Sequence, residues 1–197
     1  MTSWANTTLK PRKPRHNVIY IGIDPGLNGA VAVINEDVLG NCKDTDGSGL
    51  LVEVFDTPTM EVDSSGKVRN KYNTAAMAGL LTPYLEIPPY QRGRSLVILE
   101  SVHSMPKQGV ASSFTFGEGL GMWKGIIAAY GLPLEMPSPQ RWKKLIMADM
   151  GKDKDASRLR AIQLFPSIAS QLGRKKDDGR AEALLLAEYG RRLRKEQ

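Results

Sequence analysis

VIYIGIDPGLNGAVAVI, residues 18–34, sets two apolar, β-branched runs on either side of PGLNG, and the first run closes on a carboxylate, Asp24. Val18, Ile19, Ile21 and Ile23 suit a buried strand, and the second run alternates in the same way over 29–35. The Pro-Gly and Asn-Gly pairs between them predict a hairpin. A charge at the last position of such a strand is costly in an apolar interior. At the edge of a sheet it is tolerated, because another group or an ion can serve as its partner.

LLVEVFDTP (50–58) predicts a third strand, and SLVILE (95–100) is a continuous apolar run ending in Glu100, the pattern of a buried strand beside the first. LPLEMP (132–137) reads as a short strand. Helical spacing covers 74–86, then 111–130 with Phe116, Leu120, Trp123 and Ile127 three and four apart. Further helices are predicted from Ser138, an N-cap ahead of Pro139, over 154–165 and over 178–195. This order predicts an α/β domain with a central mixed five-stranded sheet flanked by helices, spanning 18–197 behind a basic, flexible arm at 1–17.

The chain has 197 residues, 41% hydrophobic and 24% charged, enough for one sizeable core. No apolar stretch reaches the ~18–20 residues of a membrane span, and the first residues lack a secretory signal's apolar core, so a soluble protein without membrane contact is expected. The lone Cys42 excludes an intramolecular disulfide and a thiolate-rich metal site. A formal charge of +6 and a pI near 9.4 point to a polyanionic partner. The basic residues cluster in KPRKPRH (10–16), RWKK (141–144), GKDKDASRLR (151–160), GRKKDDGR (173–180) and RRLRK (191–195).

Acids fall at element ends. Asp24 and Glu100 close apolar strands; if those strands are parallel neighbours, both carboxylates emerge at one sheet edge. Asp178 and Glu182, four apart on the last helix, share a face. Converging carboxylates repel one another unless a cation joins them. A hard divalent ion such as Mg²⁺, with Mn²⁺ as substitute, fits oxygen ligands. Two such ions suit phosphodiester hydrolysis. PKQGVASSFTFGEG (106–119) offers Lys107, Gln108, Ser112, Ser113 and Thr115 on a loop entering a helix, a place to hold phosphates and read bases. Phe114, Phe116, Trp123 and Trp142 read as packing residues.

IGIDPGLNGAVAVI (21–34), VILESVHS (97–104) and KKDDGRAEALLLAEYG (175–190), in that order and spacing, resemble the RuvC-like Holliday junction resolvases of the RNase H-like superfamily. SPQRWKK (138–144) and DASRLRAIQLFPSIASQL (155–172) look closest to the branch with chloroplast, phage and bacterial members. The resemblance implies an RNase H-like fold and a homodimer that resolves four-way DNA junctions symmetrically in recombination and repair. It implies metal and catalytic roles for Asp24, Glu100 and Glu182. The fourth ligand stays open: helical geometry favours Asp178 and the motif favours Asp177, while the position three before Glu182 is Gly179. Lys143 and Lys154 match basic positions near the scissile phosphate, and His103 the site of a wedging aromatic. Lys144, Lys175 and Lys176 join the expected DNA contacts. The resemblance places the helix over 111–130 at the dimer interface, and the protein with DNA in a chloroplast nucleoid or a bacterial or phage-infected cytoplasm. The competing readings are a nuclease for RNA–DNA hybrids, a junction-binding protein without catalysis, and an actin-like ATPase suggested by GIDPG alone.

Overall fold

The computed structural model describes residues 18–36, 50–64, 66–85, 95–102, 109–151, 153 and 155–195. Five strands form one sheet: β1 (Val18–Asp24), β2 (Ala30–Glu36), β3 (Leu50–Asp56), β6 (Ser95–Leu99) and β7 (Leu134–Glu135), in the order β3-β2-β1-β6-β7. β1 pairs antiparallel with β2, Val18 opposite Glu36 and Asp24 opposite Ala30. It pairs parallel with β6, Ile19 beside Ser95 and Ile23 beside Leu99. This is the mixed five-stranded α/β sheet that the sequence predicts, three antiparallel strands followed by parallel ones.

β1 carries no charge before Asp24 because both faces of the sheet are covered. Alternate side chains leave a strand on opposite sides. Ile19, Ile21, Ile23, Val31 and Val33 pack with Met77, Leu81, Trp123 and Ile127 of α1 (Thr74–Leu81) and α2 (Val110–Ala129). Tyr20, Ala30, Ala32 and Ile34 face the other way, onto α3 (Pro139–Ile146), α4 (Ala156–Leu164) and α5 (Asp178–Lys195). α5 crosses directly beneath β1. At Gly22 a β-carbon would overlap the Ala183 carbonyl oxygen and the Ala187 nitrogen, so the absent side chain sets how closely helix and strand approach.

Several boundaries move inward. The predicted helix over 74–86 ends at Leu81 and tightens into a 3₁₀ turn, Thr82–Tyr84, with Pro83 early in it. Residues 59–72, which carry no predicted element, form a second, two-stranded sheet of β4 (Thr59–Ser64) and β5 (Lys67–Tyr72). Its charge-rich strands bury little, so they lack the apolar alternation that marks a core strand. Gly66 turns the chain at φ 74°, its N–H donating to Asp63 Oδ1 at 3.0 Å. The hairpin's root is fixed where Tyr72 buries its ring and donates its hydroxyl to the Pro25 carbonyl at 3.2 Å. Among the described residues no helix is long and apolar enough to cross a membrane.

Candidate active site

The parallel register of β1 and β6 brings Asp24 and Glu100 to the same carboxyl edge, and the Glu100 N–H extends the pairing by donating to the Ile23 carbonyl at 3.2 Å. Glu182, on the second turn of α5, reaches the same edge from below. α5 approaches this closely because residue 179 is glycine: a β-carbon there would press on the Asn28 carbonyl and lie 3.3 Å from Asp24 Oδ2. At that position no side-chain ligand can be supplied. Three carboxylates from three distant segments thus act on one another.

Their electrostatics record the crowding. Burial raises the Asp24 pKa to about 7, with the charges of Glu182 and Glu100 adding to it; the Gly26 N–H, 3.2 Å from Oδ1, and the Lys143 ammonium oppose it. Glu100, 8% exposed, is pushed up mainly by burial and further by Glu182. Two consecutive residues of α3 serve the two glutamates. Trp142, fully buried, donates its indole N–H to Glu100 Oε1 at 2.8 Å. Lys143 Nζ sits 2.8 Å from Glu182 Oε1, and Ser157 Oγ donates to the same oxygen at 3.2 Å. α3 is aimed for this by its cap, Ser138 Oγ accepting from the Arg141 N–H at 3.3 Å.

Trp142 is therefore more than the packing residue expected from sequence, and Ser157 was not singled out there at all. The only sequence signal for Trp142 is general: a buried indole N–H needs an acceptor. Phe114, expected in the core, is 75% exposed, because α2 begins at Val110 and turns that residue outward. Ser112 and Ser113 accordingly sit in the helix's first turn, not on a preceding loop. Ser112 lines a cavity of about 420 Å³ with Leu27, Asn28, Tyr72, Thr115 and Phe116.

The two aspartates ahead of α5 are occupied elsewhere. Asp177, 2% exposed, pairs with Arg174 through its side chain and the Arg174 N–H, which holds its carboxyl below the usual range. Asp178 lies 2.9 Å from Arg158. Neither is among the charges that shift Asp24. Lys144, Lys175 and Lys176 are exposed; the last two line a groove of about 510 Å³ with Asn28, Gly29 and Thr57. His103, Lys107, Gln108 and Lys154 lie outside the described residues, as do residues 1–17 and Cys42.

In kind, the oxygen donors at this edge fit a hard divalent cation, and the raised pKa values of Asp24 and Glu100 mark negative charge in need of one. In spacing, each acid is on a partner of its own, and among the described residues no three such side chains form a cage for one ion. Lys143 already supplies positive charge to Glu182.

No protein-family model matches the chain. The chain is 30% identical over 156 residues to the Holliday junction resolvase MOC1, chloroplastic, of Chlamydomonas reinhardtii, an alignment taking in 73% of this chain and 18% of that protein. It thus spans under a fifth of that relative's length. Among solved structures it is similar to T. thermophilus RuvC in complex with Holliday junction substrate, at 16% identity and TM-score 0.45, over 89% of this chain and 96% of that one. A second Thermus thermophilus RuvC structure is 17% identical at TM-score 0.45, over 89% and 97% of the two chains.

Proposed function

We propose that the chain is a divalent-metal-dependent endonuclease that resolves four-way DNA junctions by symmetric phosphodiester hydrolysis. The observation that carries this reading is the meeting of Asp24, Glu100 and Glu182 at one sheet edge, with Asp24 raised to about 7 by burial and by the other two. The similarity to a named Holliday junction resolvase supports four-way DNA as the substrate.

Asp24, Glu100 and Glu182 are the residues that would hold a divalent ion, Mg²⁺ or Mn²⁺, and the chemistry it would supply there is positive charge for phosphodiester hydrolysis. Trp142 fixes the Glu100 carboxylate through one oxygen, Oε1. Lys143, held 2.8 Å from Glu182 Oε1, would offer its ammonium to the charge that develops on the phosphoryl oxygens. Asp178 and Asp177 remain as the two candidates for a fourth ligand, each needing first to leave its arginine.

A homodimer suits a substrate with two-fold symmetry. Its support is the outer face of α2, where Val110 and Phe114 are 87% and 75% exposed and Gly117, Gly121 and Gly125 stand in open space, a surface a second copy can approach closely. Gly119 is not part of that face, since it packs on the Tyr72 ring. Among compartments, the chloroplastic relative favours a plastid over a bacterial cytoplasm.

The test uses the purified chain with Mg²⁺ on end-labelled four-way junction, duplex and RNA–DNA hybrid. Paired nicks in the junction, at least ~10³-fold faster than with Asp24→Asn, are expected. No cleavage by the wild type, preference for the hybrid, or unaltered cleavage by Asp24→Asn overturns the reading.

A further inference from the structure

The β4–β5 hairpin stands apart from the main sheet, yet its root is tied to the site. Tyr72 donates to the Pro25 carbonyl, the Thr57 N–H donates to the Gly29 carbonyl at 2.9 Å, and the Asn73 N–H donates to the Pro58 carbonyl at 3.0 Å. Both Pro25 and Gly29 belong to the loop that leaves Asp24. Thr59 and Asn70 line a groove together with Lys175 and Lys176, and by cross-strand register they share the hairpin face of Tyr72, Glu61 and Asp63.

Charge on the hairpin is segregated by the period of two. Lys67, Arg69 and Lys71 leave β5 on one face, all exposed. Their cross-strand neighbours are Ser64, Val62 and Met60, none of them acidic. The hairpin's own acids, Glu61 and Asp63, stand opposite Asn70 and Val68 and so project to the other face. Among the described residues no ion pair joins Lys67, Arg69 or Lys71 to an acid. Elsewhere most arginines are paired: Arg141, Arg158, Arg160, Arg174, Arg180 and Arg191 each hold a carboxylate. A row of three like charges on a short strand costs self-repulsion, and among the described residues no carboxylate offsets it.

We infer that this basic face, turned away from the groove, is a DNA-backbone contact that holds a duplex arm of the junction where it leaves the site. The inference rests on the proposed function for its substrate. Successive cations on a strand are ~6.7 Å apart, so the three span ~13 Å, the axial length of about four phosphates on one DNA strand. The hairpin is tied at its root to the loop that leaves Asp24, so the cations are placed relative to that residue without contributing to the core. They carry no sequence information; the contact is to phosphate.

The test measures binding rather than cleavage. Labelled four-way junction is titrated in EDTA with the otherwise wild-type chain, with Lys67→Ala/Arg69→Ala, and with Arg194→Ala/Lys195→Ala, which removes the same charge from the far end of α5. The hairpin variant is expected to bind about 10-fold more weakly near 0.15 M salt, with the slope of log K against log salt smaller by about 1.8; the far-end variant keeps the wild-type slope. Equal affinity and slope in hairpin variant and wild type, or an equal loss in both variants, overturns the inference. Wild-type binding without cleavage leaves the hairpin assignment standing and removes the proposed activity, whereas a wild type that binds no DNA removes both.

Discussion

Asp24 ends a strand whose other side chains have left water, and its raised pKa makes the charged form a strain on the fold. The folded carboxyl titrates at about 7 and the unfolded one near the ordinary 4, so the native state binds the extra proton between those values. Its contribution to stability is complete below the unfolded pKa and is lost as pH rises through the folded one. In EDTA at pH 8, Asp24→Asn is expected to be more stable than the wild type by about 1–4 kcal/mol, the gap closing toward pH 4. Thermal melts across that range check it, and a gap that stays constant or reverses refutes it. Mg²⁺ should stabilise the wild type and leave Asp24→Asn unmoved. Trp142 acts one step further out. Trp142→Phe removes the only N–H on Glu100 Oε1 among the described residues, and the half-saturating Mg²⁺ concentration should rise about 10–100-fold with KM for the junction unchanged. A change in KM alone would assign Trp142 to packing.

At the scale of elements, the site exists because three of them are held in register: β1 and β6 by parallel pairing, α5 by its closeness to β1, and α3 by the two residues it lends to the glutamates. α5 depends on Gly22, where a methyl meets backbone rather than a flexible side chain. Gly22→Ala should therefore destabilise the chain by about 3 kcal/mol or more, read as a lower denaturant midpoint, and should weaken metal binding as Glu182 moves away. A neutral Gly22→Ala would mean that α5 is free to shift. The strands, the Ser138 cap and α5 itself were legible in the sequence because apolar period, cap chemistry and helical spacing are local signals. The β4–β5 hairpin was not, since strands that bury almost nothing have no apolar pattern to read.

The whole molecule carries its +6 charge unevenly: among the described residues most arginines hold a carboxylate, while no ion pair joins Lys67, Arg69 or Lys71 of the hairpin to an acid. Among the described residues, the outer face of α2 is a second exposed surface. Phe114→Glu is expected to convert a dimer to a monomer in sedimentation and to leave single nicks in place of paired ones. A wild type that is already monomeric, or a variant that stays dimeric, rules out α2 as the interface. Metal binding by the isolated monomer should persist, because Asp24, Glu100, Glu182, Lys143 and Trp142 all belong to one chain.

From sequence alone came the mixed sheet, its two acidic strand ends, the acidic helix face and the resemblance that joined them, all of them properties of residues near one another in the chain or of motifs kept in order. What only the tertiary structure decided was partnership across distance. Trp142 meets Glu100 over 42 positions, Lys143 and Ser157 meet Glu182 over 39 and 25, while Asp177 and Asp178, as acidic as any residue in the sequence, are taken up by Arg174 and Arg158. A carboxylate's chemistry is set by the charges and donors that surround it, and these come from segments that only folding brings together.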